Sequence, residues 1–177
     1  RFKYDVEALL GLIPPGKPPL QRVRAQATAK VYYGFGDASG CGFGATMQIG
    51  DEIVYEYGQW SSEVTETKSS NWRELNNLVE ALERVVKTHA LEGSELFIFT
   101  DNTTAEAAFW KGTSKSKTLF ELVLRLKKLE LSFGLILDVV HVSGRRMIAQ
   151  GTDGLSRADH SEGVMEGKDM KVFIPLH

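Results

Sequence analysis

The stretch YGFGDASGCGFGATM, Tyr33 to Met47, sets five glycines around a single acidic residue. Strand-like sequence bounds it, with Val31, Tyr32 and Tyr33 before it and Ile53, Val54, Tyr55 and Tyr57 after it. Glycine weakens a strand, so its repeated use points to a tight hairpin or to a place where something approaches the backbone closely. Asp37 falls where the first strand should end. Tyr33 and Phe35 share its strand face, and apolar neighbours make an unpaired carboxylate costly. Asp37 is therefore expected to form one corner of a metal site.

The hydrophobic pattern after this stretch changes period. From Val31 to about Trp60 the sequence predicts three short strands joined by tight turns, Gly50-Asp51 being one. A polar run, SSEVTETKSSNW, leads into a helix whose apolar positions Leu75, Leu78, Val79, Leu82, Val85 and Val86 follow helical spacing. Gly93 closes that region. ELFIFTDN (Glu95 to Asn102) reads as a buried strand stopping at polar residues. TTAEAAFW (Thr103 to Trp110) reads as a short helix opened by a Thr cap. KGTSK is a loop, Lys117 to Ser132 a longer helix, and LILDVVHV (Leu135 to Val142) another strand. GRRMIAQG reads as a loop, and TDGLSRAD begins a short last helix. The order βββ-α-β-α-α-β-α predicts an α/β domain, a mixed sheet with helices on its faces.

Before residue 28 the chain reads as a Pro-rich connector: IPPGKPPL (Ile13 to Leu20) suits neither a continuous helix nor a central strand. The boundaries expected are a connector at 1–27, a domain at 28–160 and a C-terminal tail at 161–177. At 177 residues there is enough chain for one domain with a core. A net charge of -2 gives no global basic field, so any polyanion site must be local. The single cysteine, Cys41, excludes an internal disulfide and a Cys-based zinc site, which fits a reducing, intracellular setting. No apolar run nears the roughly 20 residues of a membrane span. The chain opens on Arg1 rather than Met, as expected of a piece cut from a longer polypeptide.

Four acidic residues sit at element edges: Asp37 and Asp101 end strands, Glu74 lies in the first turn of the long helix, and Asp153 opens the last helix. Strand ends and helix starts cluster on one rim of such a sheet. Carboxylates converging there repel one another unless cations share the site, and hard divalent cations take oxygen ligands. Each residue also has a structural reading. Glu74 fits a capping box with Asn71 as N-cap, Asp153 complements a helix dipole, and Asp101 suits an Asx turn.

The order of these four residues resembles the ribonuclease H family. The matching pieces are GDASG around Asp37, NWRELNNLVEAL around Glu74, FIFTDNTTA around Asp101 and GTDGLSR around Asp153, within about residues 30 to 158. The DGLSR ending and the Pro-rich lead-in resemble the version attached to retroelement (retrotransposon-type) reverse transcriptases. The resemblance implies a five-stranded mixed sheet, three antiparallel strands then two parallel, with helices on both faces. It implies endonucleolytic hydrolysis of the RNA strand of RNA–DNA hybrids, with two Mg²⁺ ions (or Mn²⁺) held by Asp37, Glu74, Asp101 and Asp153. It also implies a polymerase domain in cis, a monomeric fragment, and substrate contacts from Ser39, Gly40, Asn71, Arg73, Asn102, Thr103, Arg145 and Arg146. Small residues around Asp37 would then admit the shallow minor groove, where 2′-hydroxyls mark RNA.

Two departures from the family pattern are visible. Many members carry a mobile histidine just after the glycine of the last strand, whereas Arg145 and Arg146 follow Gly144 here and His141 lies earlier, still on the strand. His141 is either a sheet-edge residue or a proton-transfer group. Ala149 and Gln150 stand where an asparagine is usual. The basic helix that some members insert after strand four is replaced by KGTSK, leaving Lys111, Lys115, Lys117 and Arg157 as further phosphate contacts.

Rival patterns fit less well. Gly40 to Ala45 matches G-x-G-x-x-A, but strands rather than a helix follow it. Asn102-Thr103-Thr104 matches a glycosylation sequon, yet nothing else suggests secretion. No G-x-S-x-G occurs. Integrases and transposases end on a glutamate and lack a counterpart of Glu74. A silent binding or scaffold module would usually have lost a carboxylate.

Overall fold

Two tight turns fold the first part of the sheet back on itself. β1 (Val31–Ala38) and β2 (Gly42–Ile49) are joined at Ser39, whose hydroxyl accepts the Gly42 amide at 2.9 Å. β2 and β3 (Glu52–Gln59) are joined at Gly50, where a left-handed φ of 63° suits glycine. Both pairings are antiparallel, with Asp37 opposite Gly44 and Gly44 opposite Tyr57. This computed structural model describes residues 2–13 and 30–175. Residues 14–29, most of the Pro-rich connector, lie outside the described residues.

The remaining strands need crossovers, because parallel neighbours cannot be joined by a hairpin. After α2 (Ser62–Thr67), α3 (Ser70–Thr88) carries the chain back so that β4 (Glu95–Thr100) lies parallel to β1. α4 (Thr103–Lys111) and α5 (Lys117–Phe133) then return it for β5 (Ile136–His141), parallel to β4. The sheet order is β3-β2-β1-β4-β5, a five-stranded mixed sheet as the family resemblance implied. On one face α3 buries Leu75, Leu78, Val79, Leu82 and Val86 beside the inward residues of α5. Each such burial stabilises by roughly 1.5–3 kcal/mol. This larger core fixes where α3 crosses β1.

The second face is covered by the C-terminal part of the chain. α6 (Gly144–Gln150), α7 (Thr152–Leu155) and two 3₁₀ turns, Gly163–Glu166 and Met170–Phe173, follow β5. Met147, Val164, Met170 and Phe173 pack there with Phe35, Phe99 and Val142. Residues of the expected tail are thus part of a core. α1 (Phe2–Leu12) rests on α5, its Tyr4 ring 5.9 Å from that of Phe120. No helix among the described residues is long and apolar enough to cross a membrane.

Several local expectations are corrected. The polar run after β3 contains α2, opened by Ser61, which accepts the Val64 amide at 3.3 Å. α3 is capped by Ser69, not Asn71, so Glu74 lies in the second turn and forms no capping box. α4 is capped by Asn102, whose side chain accepts the Ala105 amide at 2.9 Å, rather than by a threonine. GRRMIAQG is helical as α6, because fully buried Met147 and the Arg146 bond to the Phe173 carbonyl at 3.3 Å hold it. Both partners come from distant sequence. Part of the expected connector is the helix α1.

The glycines around Asp37 serve close approach, and what approaches is the protein itself. A Cβ on Gly44 would lie 2.5 Å from Leu155 Cβ and 2.9 Å from the Ser156 amide. A Cβ on Gly36 would overlap Leu78 of α3. Only the hairpin tip Gly40, among the five, faces open space. Gly44→Ala should cost about 1–3 kcal/mol by overpacking and lower Tm by roughly 3–10 °C. Gly40→Ala should leave the thermal midpoint unchanged. Equal midpoints for both variants would refute the close packing of α7 on β2.

Candidate metal centre

Parallel pairing of β1 with β4 puts their C-terminal ends side by side. Phe35 stands opposite Phe99, so Asp37 and Asp101, two residues further on each chain, emerge at one level. α3 crosses above them, with Leu78 on Gly36, which brings Glu74 one turn earlier to the same rim. Asn77 locks this crossing. Its amide donates to the carbonyls of Asp37 at 2.9 Å and Gly44 at 2.8 Å. Carboxylate oxygens of Asp37, Glu74 and Asp101 consequently all lie within 4.8 Å of one another.

Little of this cluster reaches water. Asp37 is 5% exposed and Glu74 7%, while Asp101 is half-buried. Burial pushes the Glu74 carboxyl up to about 9, and the charges of Asp37 and Asp101 push the same way. Burial likewise raises Asp37 to about 6, with Asp153 and Asp101 adding to it. Asp37 Oδ2 and Glu74 Oε2 are buried with no hydrogen-bond partner within the protein. Unpaired buried oxygens on converging carboxylates require a proton or a cation. Donors that are all hard oxygens, with waters able to complete a shell, fit Mg²⁺ or Mn²⁺.

Asp153 stands at the margin of this group. It is half-buried in α7 and its carboxylate is paired with Arg157, outside the three oxygens that converge. Its charge is nevertheless felt by Asp37. α7 is held to the hairpin by Ser39, whose hydroxyl donates to the Ser156 carbonyl at 2.8 Å.

The other expected site residues are dispersed around the rim. Asn102 donates to Asn71 at 2.9 Å, tying α4 to α3, and Arg73 donates to the Lys68 carbonyl at 2.9 Å. Gly40, Thr103 and Arg145 are exposed, whereas Arg146 turns toward Phe173. His141 is exposed at the end of β5, opposite Thr100, and its amide donates to Glu106 at 3.0 Å. Lys117 lies over the Tyr4 ring. Asn77 and Gln150 were not anticipated. Asn77 had a signal: Glu74, Asn77 and Leu78 share one helical face, and a polar pair interrupts an otherwise apolar stripe.

No family profile and no curated protein matches the chain. Solved structures do. The N-terminal RNase H domain of a Mycobacterium tuberculosis protein, solved as a fusion with maltose-binding protein, aligns with a TM-score of 0.53 at 18% identity, covering 73% of this chain and 96% of that one. LC11-RNase H1, isolated from compost by a metagenomic approach and solved with an RNA/DNA hybrid, aligns with a TM-score of 0.52 at 19% identity, covering 73% and 94%. The fold is the ribonuclease H fold. In this ribonuclease H fold the three converging carboxylates stand on β1, α3 and the end of β4.

Protonation couples this cluster to stability. Glu74 carries a folded value near 9 against 4.5 unfolded, so its stabilising contribution is full below about pH 4.5 and is lost as pH rises toward 9. In chelator, Glu74→Gln should therefore raise Tm by roughly 10 °C or more at pH 8, on the order of 1.4 kcal/mol per pH unit of the interval, and by nothing near pH 4. Added Mn²⁺ should stabilise the wild-type chain more than the variant. A Tm difference independent of pH would show that Glu74 does not bear this burden.

Proposed function

We propose that this chain hydrolyses the RNA strand of RNA–DNA hybrids as a ribonuclease H. One observation carries the reading: the buried convergence of Asp37, Glu74 and Asp101 within 4.8 Å, on a ribonuclease H fold. Asp37, Glu74 and Asp101 would hold one divalent cation, and Asp37 with Asp153 a second. Glu74 feels the charges of Asp37 and Asp101, while Asp37 also feels that of Asp153; Asp37 is the shared carboxylate. Two bound cations would supply an activated water and charge neutralisation at the scissile phosphodiester.

The chain's own residues supply positioning. Asn77 holds the Asp37 backbone, so the shared carboxylate is set before substrate arrives. Asn71 and Asn102, joined side chain to side chain, and exposed Gly40 and Thr103 border the rim where a hybrid would lie. Arg145 is free to meet phosphate, whereas Arg157 must first leave Asp153. Few cationic contacts imply modest binding with a shallow salt dependence. On the strength of the DGLSR motif and the Pro-rich lead-in, we assign the chain to a reverse transcriptase polyprotein, with residues 28–160 carrying the catalytic groups, the segment to Phe173 completing their core, and an upstream polymerase supplying much of the grip.

Cleavage of a labelled RNA–DNA hybrid in Mg²⁺ or Mn²⁺, beside single-stranded RNA, duplex RNA and duplex DNA, tests this. Hybrid alone should be cut, and Asp101→Asn should lower the rate by about 100-fold or more without loss of fold. Binding of hybrid without cutting in either metal, with a polymerase fused, would point to a silent module instead.

A further inference from the structure

Asp153 sits on α7, a helix of four residues. So short a helix has no stability of its own and takes its position from tertiary contacts. Two residues before it, at the end of α6, lies Gln150, 0% exposed, a polar side chain that no reading of the metal centre uses.

Gln150 closes a ring of hydrogen bonds with two threonines that are also buried. Its amide nitrogen donates to Thr46 Oγ1 of β2 at 2.8 Å. Its amide oxygen accepts the Thr152 backbone N–H at 2.9 Å and the Thr152 hydroxyl. The two threonine hydroxyls meet at 2.9 Å. With Thr152 donating to Gln150, Thr46 must donate to Thr152, so one set of proton positions satisfies all three groups. A fully satisfied buried network of this kind admits a single arrangement and penalises any other. The C-terminal segment closes it from the far side: Met170 Sδ lies 3.5 Å from the Gln150 amide nitrogen, and Gly163 packs directly on the Gln150 carbonyl.

Thr152 is the residue before Asp153. The ring therefore transmits the position of the sheet, through Thr46, to the first turn of α7. We propose that Gln150 is a positioning residue that places Asp153 through Thr46 and Thr152, and so sets the affinity of the cation that Asp153 shares with Asp37. This rests on the metal-centre reading above.

Mn²⁺ binding to the full chain, followed by the electron paramagnetic resonance of the free ion, tests it without recourse to activity. Asp153→Asn marks the binding event that depends on Asp153. Gln150→Met, near-isosteric, should weaken that same event about tenfold or more and spare the other. Thr46→Val should act in the same direction, and decides the matter if Gln150→Met does not fold. Leu126→Ala, in the opposite core and expected to destabilise as much, should leave both events intact. Wild-type isotherms from Gln150→Met and Thr46→Val, or from Asp153→Asn, would overturn the proposal while leaving the Asp37, Glu74 and Asp101 site standing. A wild-type chain that binds no Mn²⁺ would instead overturn the metal centre itself, and this inference with it.

Discussion

Three carboxylates forced within 4.8 Å of one another, two of them nearly closed off from water, repel each other in a medium that screens poorly. The architecture around them opposes that repulsion. The apolar stripe of α3 presses it onto the sheet, and Asn77 ties it to two strand carbonyls, so Glu74 cannot swing away from Asp37. Protonation relieves the strain in the metal-free chain, which is why burial pushes the Glu74 carboxyl so far up. A divalent cation held by these oxygens would relieve it too.

The two faces of the sheet divide the labour. The larger core, between α3, α5 and the strands, holds the Asp37, Glu74 and Asp101 corner as a rigid unit. The smaller core is assembled from short elements, α6, α7 and two 3₁₀ turns, none of which would persist alone. Asp153 belongs to this second assembly. Its placement depends on a buried polar ring and on glycines that let α7 settle against β2. One edge of the site is thus built on regular elements and the other on packed short pieces.

Trp110 and Glu106 of α4 serve the sheet in a different way. The Trp110 indole donates to the Val139 carbonyl at 2.7 Å and Glu106 accepts from the His141 amide at 3.0 Å. Both bonds fall on the free side of β5, an edge that would otherwise offer unpaired groups to another chain. They also pin the backbone of His141, whose ring stays exposed beside the Asp101 rim.

Much was legible in the amino-acid sequence. The five strands, the helices α3, α4 and α5, and the placing of Asp37, Asp101 and Asp153 at element ends follow from local periodicity, which depends only on near neighbours, whereas Glu74 stands a turn further into α3 than expected. The true caps, Ser69 and Asn102, lay one or two residues from those expected, because several capping residues compete at each helix start. Helix α6 and the docking of residues 163–173 were not legible, since Met147, Arg146 and Phe173 act through partners far along the chain. The glycines around Asp37 were visible as a demand for close approach, but only the tertiary structure showed that α3 and α7 are what approaches. Sequence alone determined which residues carry charge and at which element ends they stand. The fold decided that three of them meet, two of these nearly out of water, while Asp153 stays at the margin with Arg157, because distance and dielectric arise only once the strands and helices have packed.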